Sequence, residues 1–164
     1  MTGGFKDSDL IIVAGRPSMG KTALALNVAL HSALEAKKSI AIFSLEMSKE
    51  QLTERLLTEQ AQIDAQRMHR GLLTEAEFDR VSNALGPLGE AAIFIDDTPV
   101  MDELTLMLKA RQAKMRHNID MIVIDYLQGT GGLLHFASNE GPCPRIARTC
   151  SGDLTAEPRS RAAP

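Results

Sequence analysis

The sequence predicts an α/β domain, with a parallel β-sheet carrying helices on both faces, and three observations predict it. Short apolar runs alternate with helix-forming stretches, the pattern of strand-helix-strand units. One run, Leu10 to Ala14, feeds directly into Gly15-Arg16-Pro17-Ser18-Met19-Gly20-Lys21-Thr22, which spells G-x-x-x-x-G-K-T, and a helix former follows at once. Another run ends in an acid, Asp125. In such sheets ligands sit beyond the carboxyl ends of the strands, where this glycine loop falls.

The elements follow in order. Leu10 to Ala14 is the first strand and Lys21 to about Ala36 the first helix, after which Ser39 to Leu45 reads as a second buried strand. Ser48-Lys49-Glu50-Gln51 opens the next helix as a capping box, with Ser48 and Gln51 satisfying each other's backbone donors, and Thr74-Glu75-Ala76-Glu77 repeats the signature. Between them Ile63 to Leu73, with Arg67, His69 and Arg70, reads as a solvated connection. Gly86-Pro87-Leu88-Gly89 is expected to end the third helix, Ala92 to Ile95 to form a third strand, and Asp102 to about His117 a helix with apolar residues at 104, 107, 108 and 115. Met121 to Asp125 is the fourth strand.

The loop carries the chemistry. Gly15 and Gly20 allow a tight path, and the loop's backbone N–H groups converge with the positive helix end on one anion. Lys21 can reach the β and γ phosphates of a nucleotide, and the Thr22 hydroxyl can ligate Mg²⁺. Asp125, fixed at a strand tip, can hold the same metal through water. Hydrolysis also needs a group that orients or deprotonates water. Glu46, just past the second strand, is the first candidate; Asp96 and Asp97 after the third are its rivals, and the pattern does not choose among them.

Length and composition bound the rest. The 164 residues suit one domain with its own core, at an ordinary 44% apolar content. Neither an apolar run long enough to span a membrane nor a secretory leader is indicated, so a cytoplasmic location is expected. A net charge of −3 gives no overall attraction for nucleic acid, so DNA binding would rest on local basic loops or on repetition in an oligomer. Cys143 and Cys150 make at best half a structural zinc site, and His31, His69, His117 and His135 show no ligand spacing.

Four segments together resemble the DnaB-type replicative helicase: Asp9 to Thr22, Phe43-Ser44-Leu45-Glu46-Met47-Ser48, Ile95-Asp96-Asp97-Thr98 and Ile122-Val123-Ile124-Asp125-Tyr126-Leu127-Gln128. They stand in that family's order, from about Gly3 to Gln128. The resemblance implies a RecA-like P-loop NTPase core that works as an ATP-dependent DNA helicase in DNA replication. It implies a homohexameric ring around single-stranded DNA, with ATP and Mg²⁺ as cofactors and replication-fork proteins as partners. By the same resemblance Glu46 matches the catalytic glutamate, Lys21 and Thr22 the phosphate and metal contacts, and Asp125 the Walker B aspartate. A RecA-like recombinase or clock-type ATPase is disfavoured by the pairing of Phe-Ser-Leu-Glu-Met with Asp-Tyr-Leu-Gln.

The departures from that family are specific. The expected division is a partial ATPase domain over residues 1–128 and a non-family tail over 129–164 without a fixed fold; an amino-terminal collar and the later strands, polar sensor, DNA-facing loops and arginine finger are missing from the pattern. Gly plus Pro rises from 10 of the first 128 residues to 9 of the last 36. Read one base out of register from Glu140 to Arg159, the codons permit Lys-Ala-Leu-Ala-Arg-Glu-Leu-His-Val-Pro-Val-Val-Ala-Ile-Ser-Gln-Leu-Ser-Arg, which resembles the missing helicase segment and implies a one-base frameshift between Gln128 and about His135. The sheet is then incomplete on its C-terminal side, with the fourth strand expected at an exposed edge. The alternative function is a truncated nucleotide-binding module without helicase activity.

Overall fold

The computed structural model describes residues 5, 9–16, 18–99 and 101–125 and, as backbone, the strand Arg145–Cys150. Five parallel strands form one sheet: β1 (Leu10–Ala14), β2 (Ile40–Ser44), β3 (Ile93–Asp96), β4 (Met121–Asp125) and β5 (Arg145–Cys150), in the spatial order β1-β5-β4-β2-β3. The helices are α1 (Lys21–Leu34), α2 (Lys49–Ala61), α3 (Ala65–His69), α4 (Glu75–Glu90) and α5 (Glu103–His117).

β2 and β4 are buried along their whole length, as central strands covered on both faces must be. Their side chains alternate between two cores. Ile40, Ile42, Met121 and Val123 pack with Ala25, Leu26, Ala29, Leu30 and Ala33 of α1 and with Leu52 and Leu56 of α2. On the opposite face Ala41, Phe43, Ile122 and Ile124 meet Leu106 and Ala110 of α5, together with Met101 and Ile119. Helices therefore cover both faces, as the alternation predicts.

The helix starts are written locally. Both capping boxes form: Ser48 Oγ accepts from the Gln51 N–H while Gln51 Oε1 accepts from the Ser48 N–H, and Thr74 and Glu77 do the same at α4. Asp102 caps α5 by accepting from the Thr105 N–H at 3.0 Å.

Four expectations are corrected. α4 does not stop at Gly86 but runs through Pro87 to Glu90, because Ala84 and the half-buried Leu88 lie against Leu57 and Ala61 of α2, and that packing outweighs the backbone bond that Pro87 cannot donate. The connection after α2 contains the short α3, capped by Asp64 and tied down by the Arg67–Glu77 ion pair and by a His69–Glu54 contact, both at 3.0 Å. On α5 the buried face is Leu106 and Ala110, while Leu104, Leu108 and Met115 are exposed. Finally, β4 is an interior strand. Residues 145–150 were expected to have no fixed structure, yet they form β5 and fill the position between β1 and β4, so among the described strands β1 and β3 lie at the edges. Two ladders of backbone hydrogen bonds hold β5 there irrespective of its side chains. The rest of the 129–164 tail lies outside the described residues.

Candidate nucleotide and metal site

β1 delivers the chain to the sheet's carboxyl edge, where the loop turns into α1. The Met19 N–H donates to the Arg16 carbonyl at 3.4 Å, Ser18 takes a positive φ of 63°, and Gly20 stands at the start of α1 with φ 79° and ψ 22°. This left-handed conformation strains any residue with a Cβ, which accounts for Gly20. Gly15 needs no such freedom: its φ is not positive, and an added Cβ would lie 3.6 Å from the Lys21 side chain, in ordinary contact. Gly20 has no side chain with which to cap α1, and α1 has no acid in its first turn, so the helix start presents backbone donors and its positive end to an anion. The Lys21 ammonium folds back over the loop and donates to the Gly15 carbonyl at 2.9 Å. Pro17 lies outside the described residues.

Two residues 103 positions apart meet at this edge: the Thr22 hydroxyl donates to Asp125 Oδ2 at 2.7 Å. Asp125, at the tip of β4, is only 5% exposed. Its backbone is fixed by pairing opposite Ser44, and its carbonyl accepts from the Leu45 N–H at 3.3 Å. A hydroxyl and a carboxylate in contact are hard oxygen donors of the kind Mg²⁺ selects when it also holds phosphate oxygens and water. The residues present fit a magnesium nucleotide: cationic and backbone donors for phosphate on one side, oxygen donors for metal on the other.

The three acids considered for activating water are in different states. Glu46, two residues beyond β2, is exposed, and its side chain makes no hydrogen bond or ion pair among the described residues. Asp96 is engaged: Lys109 Nζ donates to both its oxygens at 3.0 and 2.7 Å, and Thr98 bonds it through its N–H and hydroxyl at 3.1 and 2.6 Å. Burial pushes the Asp96 carboxyl up, but the hydrogen bonds from Lys109 and Thr98 outweigh it and hold the group below the usual aspartate range. Asp97 accepts from the Lys49 N–H at 3.0 Å, at the start of α2. The two rivals are thus structural partners, and Glu46 alone of the three stands open at the sheet edge.

Sequence reasoning missed Lys109 and Ser44. Lys109 lies 13 residues from Asp96 on the next helix, a spacing with no local signal. Ser44 is 1% exposed, and its hydroxyl serves Met47, a three-residue serine turn legible only once the strand end is known. No cluster of three His, Cys, Asp or Glu that could hold a metal occurs among the described residues. His31 is exposed, His69 pairs with Glu54 and His117 stacks on Phe94 at 4.0 Å between ring centroids. His135, Cys143 and the Cys150 side chain lie outside the described residues. Among the described residues no helix is long and apolar enough to cross a membrane.

Residues 1–141 match the family described as DnaB-like helicase C terminal domain, beyond the Gln128 limit of the sequence resemblance. The chain is 48% identical over 128 residues to the replicative DNA helicase DnaB of Geobacillus stearothermophilus, across 78% of this chain and 28% of that protein. It is 51% identical over 130 residues to the replicative DNA helicase DnaB of Nostoc sp., across 78% of this chain and 15% of that protein. The chain thus spans less than a third of the length of these relatives. Its fold superposes on a DnaB-like replicative helicase, solved to show its interactions with primase, with a TM-score of 0.76 over 90% of this chain and 40% of that one, at 24% identity. A solved ATPase domain aligns with a TM-score of 0.77 at 27% identity, over 90% of this chain and 58% of the other. These neighbours carry the RecA-like α/β architecture. With the glycine loop, the acidic strand tip and the capped helices between them all inside the matched region, this chain belongs to the DnaB-like helicase C-terminal domain family.

Proposed function

We propose that this chain is the ATP-binding and ATP-hydrolysing part of a replicative DNA helicase motor that uses MgATP. The observation that carries the reading is the 2.7 Å contact of Thr22 with Asp125 beside a loop lysine bonded to the Gly15 carbonyl. MgATP, when bound, supplies the phosphoanhydride whose cleavage drives the motor. Lys21 exchanges its bond to the Gly15 carbonyl for a phosphate oxygen and neutralises negative charge there. Thr22 donates its hydroxyl proton to Asp125 in a hydrogen bond, which leaves an oxygen lone pair, and Thr22 and Asp125 would together hold the metal that neutralises phosphate charge. Gly15, Arg16, Pro17, Ser18, Met19 and Gly20 wrap the phosphates, the donors being loop N–H groups, of which Pro17 has none. Glu46, exposed and without a partner among the described residues, accepts the proton of the attacking water.

The corresponding partners are single-stranded DNA, replication-fork proteins and further copies of the chain in a homohexamer, in the cytoplasm. The outer edge of β1 favours a second reading. Leu10 and Ile12 are 37% and 52% exposed there, which suits a nucleotide-binding module without helicase activity. On that reading residues 1–128 carry the partial ATPase domain and the segment beyond them supplies β5 to its sheet. Size-exclusion chromatography with and without MgATP, alongside DNA-stimulated turnover, separates the two: a hexamer with stimulated turnover supports the motor, a monomer that binds ATP supports the module. Calorimetric titration with ATP in the presence and absence of Mg²⁺ tests what they share, and well-folded protein without affinity for either form overturns both.

A further inference from the structure

We propose that Ser44 and Asp97 are positioning residues for Glu46, holding the loop that carries it from two sides; the inference rests on the reading of Glu46 as the group that activates water. The loop runs from Leu45 to Ser48, between the end of β2 and the start of α2. An exposed carboxylate on an unrestrained loop would sample many positions, whereas proton transfer needs one. The loop is restrained on each side of Glu46. Before it, the Leu45 N–H donates to the Asp125 carbonyl at 3.3 Å, tying the loop to the strand that ends in the metal-site acid. After it, one buried hydroxyl takes both backbone groups of Met47: Ser44 Oγ donates to the Met47 carbonyl at 2.8 Å and accepts from the Met47 N–H at 3.0 Å.

The second hold comes from a different strand. Asp97, just past β3, accepts from the Lys49 N–H at 3.0 Å. Lys49 is the first residue of α2, so its N–H has no partner within the helix, and an anionic acceptor is favoured at this positive end. The contact joins the β3 edge to the exit of the Glu46 loop across 48 residues of chain. Asp96, its neighbour, is anchored by Lys109, whose Nζ also lies 2.6 Å from Thr98 Oγ1, so the segment that presents Asp97 is itself braced. Ser44 acts from within the loop's own strand and Asp97 from the adjacent one. Neither side chain is available to act on water, since each already serves the loop backbone.

The test uses the 164-residue chain and two readouts. In native-state amide exchange, Met47 and Lys49 are slow in the wild type; Ser44→Ala releases Met47 and Asp97→Ala releases Lys49. In ATP turnover, either substitution lowers kcat by about 10- to 100-fold while the affinity for MgATP stays within about twofold. Asp97→Asn, which still offers a carbonyl oxygen to the Lys49 N–H, recovers most of the rate; a merely stabilising cap would leave kcat unmoved at temperatures where Asp97→Ala is folded. Met47 and Lys49 amides that exchange like free ones in the wild type overturn the proposal. So does Asp97→Ala with wild-type turnover beside an inactive Glu46→Gln, which removes the positioning role alone. Wild-type turnover in Glu46→Gln removes the base and this proposal with it, and a folded chain with no turnover at all overturns both.

Discussion

Thr22 and Asp125 lie 2.7 Å apart, hydroxyl to carboxylate, across 103 residues of chain. The contact joins the first turn of α1 to the tip of β4, the two elements that a magnesium nucleotide would bridge. Thr22→Ala removes the metal-facing oxygen and frees Asp125 of one donor, so MgATP affinity should fall by about tenfold or more, while the weaker affinity for metal-free ATP changes little. Thr22→Ser should retain the magnesium dependence and Asp125→Asn should lose it. Titrations of each variant with and without Mg²⁺ check this; equal magnesium dependence in Thr22→Ala would take the metal away from this pair.

Lys21 is the cationic side chain that folds over the loop, held by a carbonyl that a phosphate oxygen can replace. A hydrogen bond to a charged partner is worth about 1.5–3 kcal/mol, so Lys21→Ala should weaken ATP binding by about 10- to 150-fold and abolish turnover. The Gly15 carbonyl is then left to solvent, at little cost in stability. Fluorescence titration with a nucleotide analogue, together with a thermal melt, checks both halves.

β5 is the join between β1 and the rest of the sheet, because β1 pairs with β5 and β5 with β4. Ala147 stands opposite Ile11 on one side and Val123 on the other. Ala147→Pro removes a ladder donor from an interior strand and should cost on the order of 3 kcal/mol. Since β1 also delivers the glycine loop, ATP affinity should fall together with the melting temperature. Unchanged affinity in Ala147→Pro would mean that the loop and Asp125 align without this strand.

Asp96 sets a pH dependence. Its folded-state pKa lies below the ordinary value, burial opposing and the Lys109 and Thr98 hydrogen bonds prevailing. Its contribution is therefore complete above the unfolded aspartate value of about 3.9 and is lost as pH falls through the lower folded value. Asp96→Asn should cost about 1–3 kcal/mol at neutral pH and make the acid loss of stability shallower below about pH 4. Some acid sensitivity should persist, because Glu77, held low by its hydrogen bonds with Thr74, and Asp102, held low by those from Thr105, titrate in the same direction. Thermal melts across the acid range check the slope.

What was legible in the sequence is what local chemistry dictates. The glycine loop, the Ser48–Gln51 and Thr74–Glu77 boxes, and β1 to β4 follow from spacing and alternation within a few residues. Asp125 could be placed near Thr22 because both sit at the carboxyl edge of a parallel sheet. Strand order could not be read: Arg145–Cys150 has no sequence signal for its place between β1 and β4, which long-range pairing decides. The helix through Gly86 and Pro87 was hidden for a similar reason, since tertiary packing of Ala84 and Leu88 overrides a local stop signal. The apolar positions 104, 108 and 115 gave α5 its existence but not its orientation, which Leu106 and Ala110 set. Residue pattern alone leaves Glu46 level with Asp96 and Asp97; the family resemblance raises it above them, and what no local signal shows is that the two aspartates are taken up by Lys109 and the Lys49 N–H.

The strand that hands over the phosphate loop is also the least sheltered of β1 to β4. With Ile12 half open to water and no described strand on its far side, β1 is where fraying, proteases and holdase chaperones would gain first access. Nucleotide bound at the loop would tighten that same strand, so resistance of this polypeptide to proteolysis should rise with nucleotide concentration.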